Sequence, residues 1–447
     1  MLSNQNYQLL SLIQRRFASF ILWIASIIFV SYCCAAGAHT LHVPSSFTTI
    51  QAALDAATPG DSILVAEGTY TENIVWPQTS DLHLLSDPAN SNRPTIDGAS
   101  AGRVIDIEAD GSGAFTAEIS GFVITHGFLN VAAHNGETGA GIFMTNGALR
   151  LSRCVIDGNE ITSTFPIQNN GGGAGVSIVS TPAGSVNSID SCTFTSNSVS
   201  AVTSGDGAAV HLDTAPLVMK NTDIQGNGIE VGEVALGTIY AYASDLVLDA
   251  VKLEENHAQT DASLPVGFAA IKGTAVFSYL SNVRIVNCKI ANNLSTPQNS
   301  TLTLLGAAVY FYGEGTKLRI SSSSIGYNKR TDGAGTNGTA LYFSSLVPGT
   351  ALVVNSILWN PDNGAEIDSF SQPALVYLTD VRDNPNRRRG NINADPLFVS
   401  PLDFHLQPTS RCLNTGYERF APSRDIEGMP RPQPAGSRVD LGCYEMD

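Results

Sequence analysis

The stretch Gly139 to Asn159, GAGIFMTNGALRLSRCVIDGN, returns six more times in imperfect copies, and this recurrence constrains the fold more than any other feature of the chain. Later copies open on a Gly-led hexamer: GAGVSI from Gly173, GAAVHL from Gly207, GTIYAY from Gly237, GTAVFS from Gly273, GAAVYF from Gly306 and GTALYF from Gly338. The seven copies close on Asn159, Asn197, Asn227, Asn256, Asn293, Asn328 and Asn360. An apolar anchor stands three residues before each Asn: Ile156, Phe194, Ile224, Leu253, Ile290, Ile325 and Ile357. Successive anchors are 38, 30, 29, 37, 35 and 32 residues apart. An uneven period around constant short segments implies a solenoid whose coils share a core and differ in their loops.

The segments alternate. Ile142, Val176, Val210, Val276, Val309 and Leu341 share one parity, with Met144, Ile178, Leu212, Phe311 and Phe343 two residues on. Leu149/Leu151, Leu246/Leu248, Val283/Ile285 and Leu318/Ile320 repeat the pattern. A period of two places each set on one buried side of a strand. Two or three short strands per coil, stacked about 4.8 Å apart on their copies, make an all-β fold, a single-stranded parallel β-helix. No copy sustains the i, i+3, i+4, i+7 pattern that a helical solenoid needs.

The closing Asn residues have a structural reading. Asn tolerates a left-handed bend between strands, and stacked amides hydrogen-bond along the axis, so the seven are predicted to form an inward ladder. Cys154, Cys192 and Cys288 fall at a matching place in their coils and read as small buried stacking residues.

Residues 1–38 read as an export signal. Arg15 and Arg16 precede the apolar run Phe17 to Tyr32, and Ala36-Gly37-Ala38 offers a cleavage site before His39. The alternative is an uncleaved anchor, since Phe17 to Ala38 as a helix reaches about 33 Å. No later stretch is apolar enough to span a membrane. The whole chain carries 24 Lys and Arg against 40 Asp and Glu, and both leader charges are arginines, so the exported chain has a formal charge of −18. That balance excludes nucleic acid as a partner, and disfavours a polyanionic glycan unless calcium bridges acid to acid. No other cofactor and no metal-ligand spacing is evident.

Residues 39–128 read as an N-terminal cap and first, irregular coils. Thr48 and Gln51 suggest a capping box, and Ile50, Ala53, Leu54 and Ala57 form one stripe of a short helix that ends at Pro59-Gly60. Such a helix can close the apolar end of a solenoid. Phe122, Ile124 and Gly127 stand where Cys154, Ile156 and Asn159 stand later. Regular coils occupy residues 129–375, and residues 376–447 form a distinct end region.

VPSSFTTIQAALDAATPGDSILVAEGTYTENI resembles the opening of right-handed parallel β-helix proteins of the pectin lyase-like superfamily. GNINADPLFVSPLDFHLQPTSRCLNTGYE and DIEGMPRPQPAGSRVDLGCYE, with NSILWNPDNGAEI, resemble the C-terminal region of secreted bacterial choice-of-anchor Q domain proteins. Together the likeness covers residues 40–446. It implies a right-handed coil and an exported bacterial protein, expected here to be a monomer. Members of that family often end in a surface-sorting signal, whereas this sequence ends Tyr444-Glu445-Met446-Asp447, which favours free secretion or an N-terminal anchor. In an exported chain Cys412 and Cys443, in two stretches expected to pack as a cap, are a candidate disulfide.

The superfamily includes polysaccharide lyases and polygalacturonases, so the resemblance raises catalysis. Asn221-Thr222-Asp223 matches the NTD motif of polygalacturonases, but no Asp-Asp pair, Gly-His-Gly or Arg-x-Lys follows it, and a hydrolase needs convergent carboxylates. Lys220, Lys252, Lys272 and Arg284 are scattered with no dense Asp cluster beside them, as a lyase base would require. Catalytic residues are therefore not identified from the sequence. Two other constellations stand out. Phe143, His211, Phe277, Tyr310 and Tyr342 follow the first inward anchor of their coils, so they should point outward and offer flat faces to sugar rings, unless inserted loops cover them. DVRDNPNRRRG gathers Arg382, Arg387, Arg388 and Arg389, as a solvated loop or an anion contact. The leading reading is a non-catalytic extracellular protein that binds polysaccharide. The alternatives are a polysaccharide lyase or glycoside hydrolase, and a structural surface protein that binds other proteins.

Overall fold

In its middle coils the chain winds through five short parallel strands per coil, of which sequence periodicity revealed two or three. One coil runs Ile142–Thr145, Ala148–Ser152, Val155–Asp157, Glu160–Ser163 and Gly171–Gly172. The next begins at Val176–Val179, directly over the first strand, with Ile142 opposite Val176. Stacking along the axis builds five parallel sheets, here numbered first to fifth in that order, of ten, twelve, eleven, seven and five strands. Parallel strands joined by returning connections of this kind wind right-handed. The fold is a right-handed parallel β-helix. The computed structural model describes residues 38–131, 138–163, 171–260, 270–297, 303–306, 308–331, 339–345, 347, 350–361, 364–370, 372–383 and 388–446. The leader read over residues 1–38 thus lies outside the described residues except for its last position. Leu41–Asp447 packs as one compact unit, and no described helix is long and apolar enough to cross a membrane.

The first three sheets enclose the main core, into which Ile142, Met144, Leu149, Leu151 and Ile156 project from a single coil. The fourth and fifth sheets share a smaller core of Ile161, Val199, Ile229, Ala235 and Ile271, and form a fin alongside the coil. These strands escape a periodicity search because they are short and mostly polar. SVSA, GIEV and HAQT each place only one or two apolar residues inward.

Every coil turns on residues in the left-handed region. The ladder Asn residues do not carry that bend, as the sequence suggested. The residue before each of the first six does so: Gly158, Ser196, Gly226, Glu255, Asn292 and Tyr327 have φ of 62°, 55°, 65°, 55°, 56° and 54°. The Asn is thereby freed to turn its amide inward. At the entry to the first sheet the same role falls to Gly139, Gly173, Gly207, Gly237, Gly273 and Gly306. Here glycine is required by space as well as by torsion. A Cβ on Gly273 would stand 2.1 Å from the Val276 carbonyl oxygen and 2.9 Å from Tyr310 Cβ in the next coil.

The N-terminal helix spans Ile50–Ala56, and Ile50, Ala53 and Leu54 are buried against the first coils. Its cap is Thr49, one residue later than the sequence suggested, with Oγ1 accepting from the Ala52 N–H. Glu72 supplies the rest, its two carboxylate oxygens accepting from the Ile50 and Gln51 N–H groups at 2.9 Å each. A carboxylate from a neighbouring strand thus replaces a local capping box, and Gln51 is released to bond the backbone of Val75.

The end region does not simply cap the solenoid. It folds back along the outer face of the third sheet, where Phe398, Phe404, Leu406, Leu441 and Tyr444 pack on Ala291 and Ile357. Lys289 Nζ donates to the Leu402 carbonyl at 2.7 Å, and the Cys443 N–H to Ser324 Oγ at 3.2 Å. Cys412 and Cys443 lie in this one cluster as buried free thiols, which corrects the expected disulfide. Cys412 Sγ is committed instead to Asp380, donating to Oδ2 at 3.2 Å.

Candidate functional site

Two side-chain files run the length of the coil, one inside and one outside. Inside, each ladder amide donates from Nδ2 to Oδ1 of the next. The successive distances from Asn159 to Asn360 are 2.9, 2.9, 3.0, 3.0, 2.8 and 3.2 Å. Each acceptor also takes the backbone N–H of the preceding Asn, from Asn159 at 3.2 Å to Asn328 at 2.7 Å. The file begins at the Gly127 N–H and ends on Glu366, whose carboxylate accepts from Asn360 N and Nδ2 at 2.7 and 2.6 Å. Arg382 Nε donates to the same carboxylate at 2.9 Å. Burial pushes the Glu366 carboxyl above its ordinary range, and the Asn360 donors and Arg382 oppose that shift. Cys154, Cys192 and Cys288 occupy a second corner, where the Cys154 N–H points at Cys192 Sγ at 3.5 Å and Ser323 Oγ serves Cys288.

Outside, on the first sheet, His211, Tyr240, Phe277, Tyr310 and Tyr342 stack ring on ring at centroid distances of 4.9, 5.3, 5.1 and 5.3 Å. These rings point away from the core but are not solvent-facing, which corrects the expected open face. His211, Tyr240, Phe277 and Tyr310 are 4%, 4%, 6% and 7% exposed. One flank is filled by the entry glycines, and the fifth sheet adds Leu236 and Lys272. Tyr342 is half-buried at the far end of the file. Phe143, two coils before His211, stands apart from the stack under Arg103, whose guanidinium lies 4.7 Å from the ring centroid.

A second file, two residues along the same strands, is more open. Tyr242, Tyr279 and Tyr312 stack at 5.5 and 4.7 Å with rings within 5° of parallel, and Tyr242 is 39% exposed. The two files form one aromatic floor, bordered by the fin. The signal was in the sequence as aromatic-x-aromatic in IYAY, VFSY and VYFY, of which only the first outward position was read, and only in two of the three. Tyr240 was lost because GTIYAY reaches its anchor one residue sooner than GAAVHL. Ile239 pairs with Val210 and Val276, which puts Tyr240 beside His211 and Phe277.

Titratable groups enter this floor from the fin. Asp206, fully buried, approaches His211 Nδ1 at 2.6 Å through Oδ1, while its Oδ2 has no hydrogen-bond partner. Lys272 Nζ lies 5.8 Å from the Tyr310 centroid, and burial pulls its pKa below the ordinary lysine range. Burial, with Tyr342, Tyr312 and Tyr279 adding to it, leaves the Tyr310 hydroxyl pushed up to about 12. Among the described residues no three His, Cys, Asp or Glu side chains converge as a metal cage.

The other sequence candidates lie elsewhere. Asn221, at φ 47°, bends the chain between the second-sheet strand Leu217–Lys220 and the third-sheet strand Asp223–Gln225, which Asp223 opens. Asn221 Nδ2 bonds Asp190 at 3.0 Å, and Thr222 Oγ1 accepts the Cys192 N–H, so this motif is a corner of the coil. Arg382 clamps the end of the ladder, Arg389 lies over the Tyr377 ring at 4.8 Å, and Arg387 falls outside the described residues.

No family model and no curated relative matches the chain. Solved structures similar to it include pectate lyase Pel9A at 14% identity, covering 92% of this chain and 96% of that one with a TM-score of 0.45. Others are an alginate lyase from Paenibacillus sp. str. FPU-7 at 13% identity and a Family 28 exopolygalacturonase from Yersinia enterocolitica at 10%. The first of these two covers 76% of this chain and 97% of the other with a TM-score of 0.24, and the second covers 78% and 79% with a TM-score of 0.22. The chain therefore stands on its own sheets and registers as a right-handed parallel β-helix.

Proposed function

We propose that the protein binds a polysaccharide along the first sheet, without cleaving it, outside the cell. The observation that carries this reading is the open tyrosine file, Tyr242, Tyr279 and Tyr312, held in parallel by the buried file beside it. Rings held parallel in a stack present a ridge of ring edges and hydroxyls to a sugar chain at little entropic cost, and the hydroxyls add hydrogen bonds. The leader-like residues 1–38, and the resemblance of the end region to choice-of-anchor Q proteins, support export and a bacterial extracellular or cell-surface location. Calcium is a candidate bridge to an acidic polymer, given the charge of −16 on the whole chain. The protein acts as a monomer in this reading.

The test is affinity electrophoresis against neutral and acidic polysaccharides, with and without calcium. Retardation by at least one polymer is expected, and it is lost in Tyr279→Ala/Tyr312→Ala. Equal retardation of that variant would defeat the reading, and retardation by none of the polymers would favour the structural, protein-binding alternative.

A second reading is cleavage, favoured by the Asp206–His211 pair. A buried carboxylate that fixes an imidazole is an arrangement suited to general-base work, and a Lys272 amine drawn toward neutrality would serve the same end. Release of reducing ends above a heat-treated control, abolished in His211→Asn, would establish this reading in place of the first.

A further inference from the structure

The second sheet holds a site unrelated to the aromatic floor. Its outward positions read Ser188, Val218, Val247, Arg284, Arg319 and Leu352 along successive strands. Arg284 and Arg319 are direct register neighbours. Their backbones therefore stand about 4.8 Å apart, and like charges placed so are unfavourable unless something lies between them. The end region brings a third guanidinium. Residues 419–422 lie against this part of the sheet and border an open pocket of about 310 Å³ lined by Arg284, Arg319, Arg419, Phe420, Leu352 and Val354, among others, with Arg284 and Arg419 exposed at its mouth.

Among the described residues no carboxylate lines this cavity, although the chain as a whole has 40 acidic against 24 basic residues. None of the three arginines has a described carboxylate within salt-bridge distance. Asp245 and Asp249 stand two residues to either side of Val247, the register partner of Arg284 on the preceding strand, and Asp245 is committed to Asn282. Arg319 is held in place by its own backbone surroundings, Nη1 donating to the Leu318 and Thr350 carbonyls at 3.0 and 3.2 Å. Phe420, 44% exposed, and Leu352 give the cavity an apolar wall.

We infer that this cavity binds a phosphate or sulfate monoester, the oxyanion seated among the three guanidiniums and an apolar or ring body resting against Phe420. Three positive groups from two strands and a loop suit a tetrahedral oxyanion, which offers an oxygen to each and up to two negative charges. The volume admits the headgroup and a body of about one ring. This site is independent of the sugar reading, because no residue of the first sheet contributes to it.

The experiment titrates the purified protein calorimetrically with phenyl phosphate, phenyl sulfate, benzoate and inorganic phosphate at low salt. At least one ester is expected to bind, more tightly than benzoate. Arg284→Gln/Arg319→Gln should weaken it at least tenfold, and Phe420→Ala should weaken the ester without changing inorganic phosphate. The tighter of the two esters identifies the headgroup. The arginine variant should also melt no lower than wild type in low salt, because it relieves a like-charge pair. No binding of either ester, unaltered binding in the double variant, or inorganic phosphate binding as tightly as both esters would each overturn the proposal. So would a double variant that melts well below wild type without ligand, since the arginines would then be structural.

Discussion

The inner and outer files rest on the same repeat and differ in what they leave open. In the Asn ladder every donor and acceptor is answered by the coil above or below, and the file is closed at both ends, by Gly127 and by Glu366. In the aromatic floor the inner row is buried while the outer row, its rings stacked on one another, stays partly in solvent. Repetition inside the coil therefore yields cohesion, and repetition outside it yields a surface. The contrast is physical: an amide without a partner in the core costs far more than a ring face left wet.

The comparison breaks first, and most visibly, at Asn256→Ala. That side chain accepts from Asn227 N and Nδ2 and donates to the Ile224 carbonyl and Asn293 Oδ1. Its loss strands several buried groups, for an expected cost of about 5 kcal/mol, read from the urea midpoint of the unfolding transition. A cost under 1 kcal/mol would remove the distinction drawn here. Phe277→Ala, in the buried aromatic row, should cost about 3 kcal/mol, because it opens a cavity between Tyr240 and Tyr310. If instead it costs little, the row is less packed than its burial indicates.

A buried carboxylate outside both files sharpens the point. Asp380 is fully buried with, among the described residues, only the Ala394 N–H and Cys412 Sγ as donors, and burial leaves its carboxyl pushed up to about 6. The folded protein thus holds this proton to a higher pH than the unfolded chain, which releases it near 3.8. Stability from this group is greatest below about pH 4, falls as pH rises to about 6, and is then flat. The change amounts to about 3 kcal/mol by order of magnitude. Asp380→Asn should flatten that part of the melting-temperature profile between pH 4 and 7, and an unaltered slope would place its origin elsewhere. The smallest stability effect belongs to Tyr312→Ala, about 1 kcal/mol, since the ring is half open. It should nevertheless weaken polysaccharide retention more than Phe277→Ala does, and the reverse order would assign the ligand to the buried row.

The coil was legible because its rules are local. A Gly-led hexamer, an alternating anchor and a closing Asn recur at every turn, and each reports a backbone need that a single coil already has. The fin was not legible, because strands such as HAQT and AIK owe their conformation to pairing with neighbouring coils and little to their own composition. The aromatic floor was half legible. Phe277 and Tyr310 could be placed by parity, whereas Tyr240 needed the knowledge that its turn is one residue short. Asp206 and Lys272 could not be placed at all, because they reach the floor from the fin. The arginine cavity was hidden for a third reason: Arg419 joins Arg284 and Arg319 only when the end region folds back over the second sheet. Cys412 and Cys443 were brought to one cluster as read, and the partner of Cys412 proved to be a carboxylate.

One property of the ladder bears on why the amide file stops where it does. Each amide also donates to a carbonyl of the preceding coil, but the amide-to-amide bonds all run toward the C-terminal coil with Oδ1 facing back, so the amide dipoles add along the axis with the positive end leading. An eighth Asn would pass that polarity on to a further coil. Glu366 offers acceptors only, carries the sign that a positive dipole end attracts, and is held by Arg382 from its other side. The ladder is thus terminated electrostatically, while the sheets run on for one more coil through Ile367–Ser369, Leu375–Tyr377 and Asp380–Val381: a file that began at a backbone N–H meets a group with nothing left to donate.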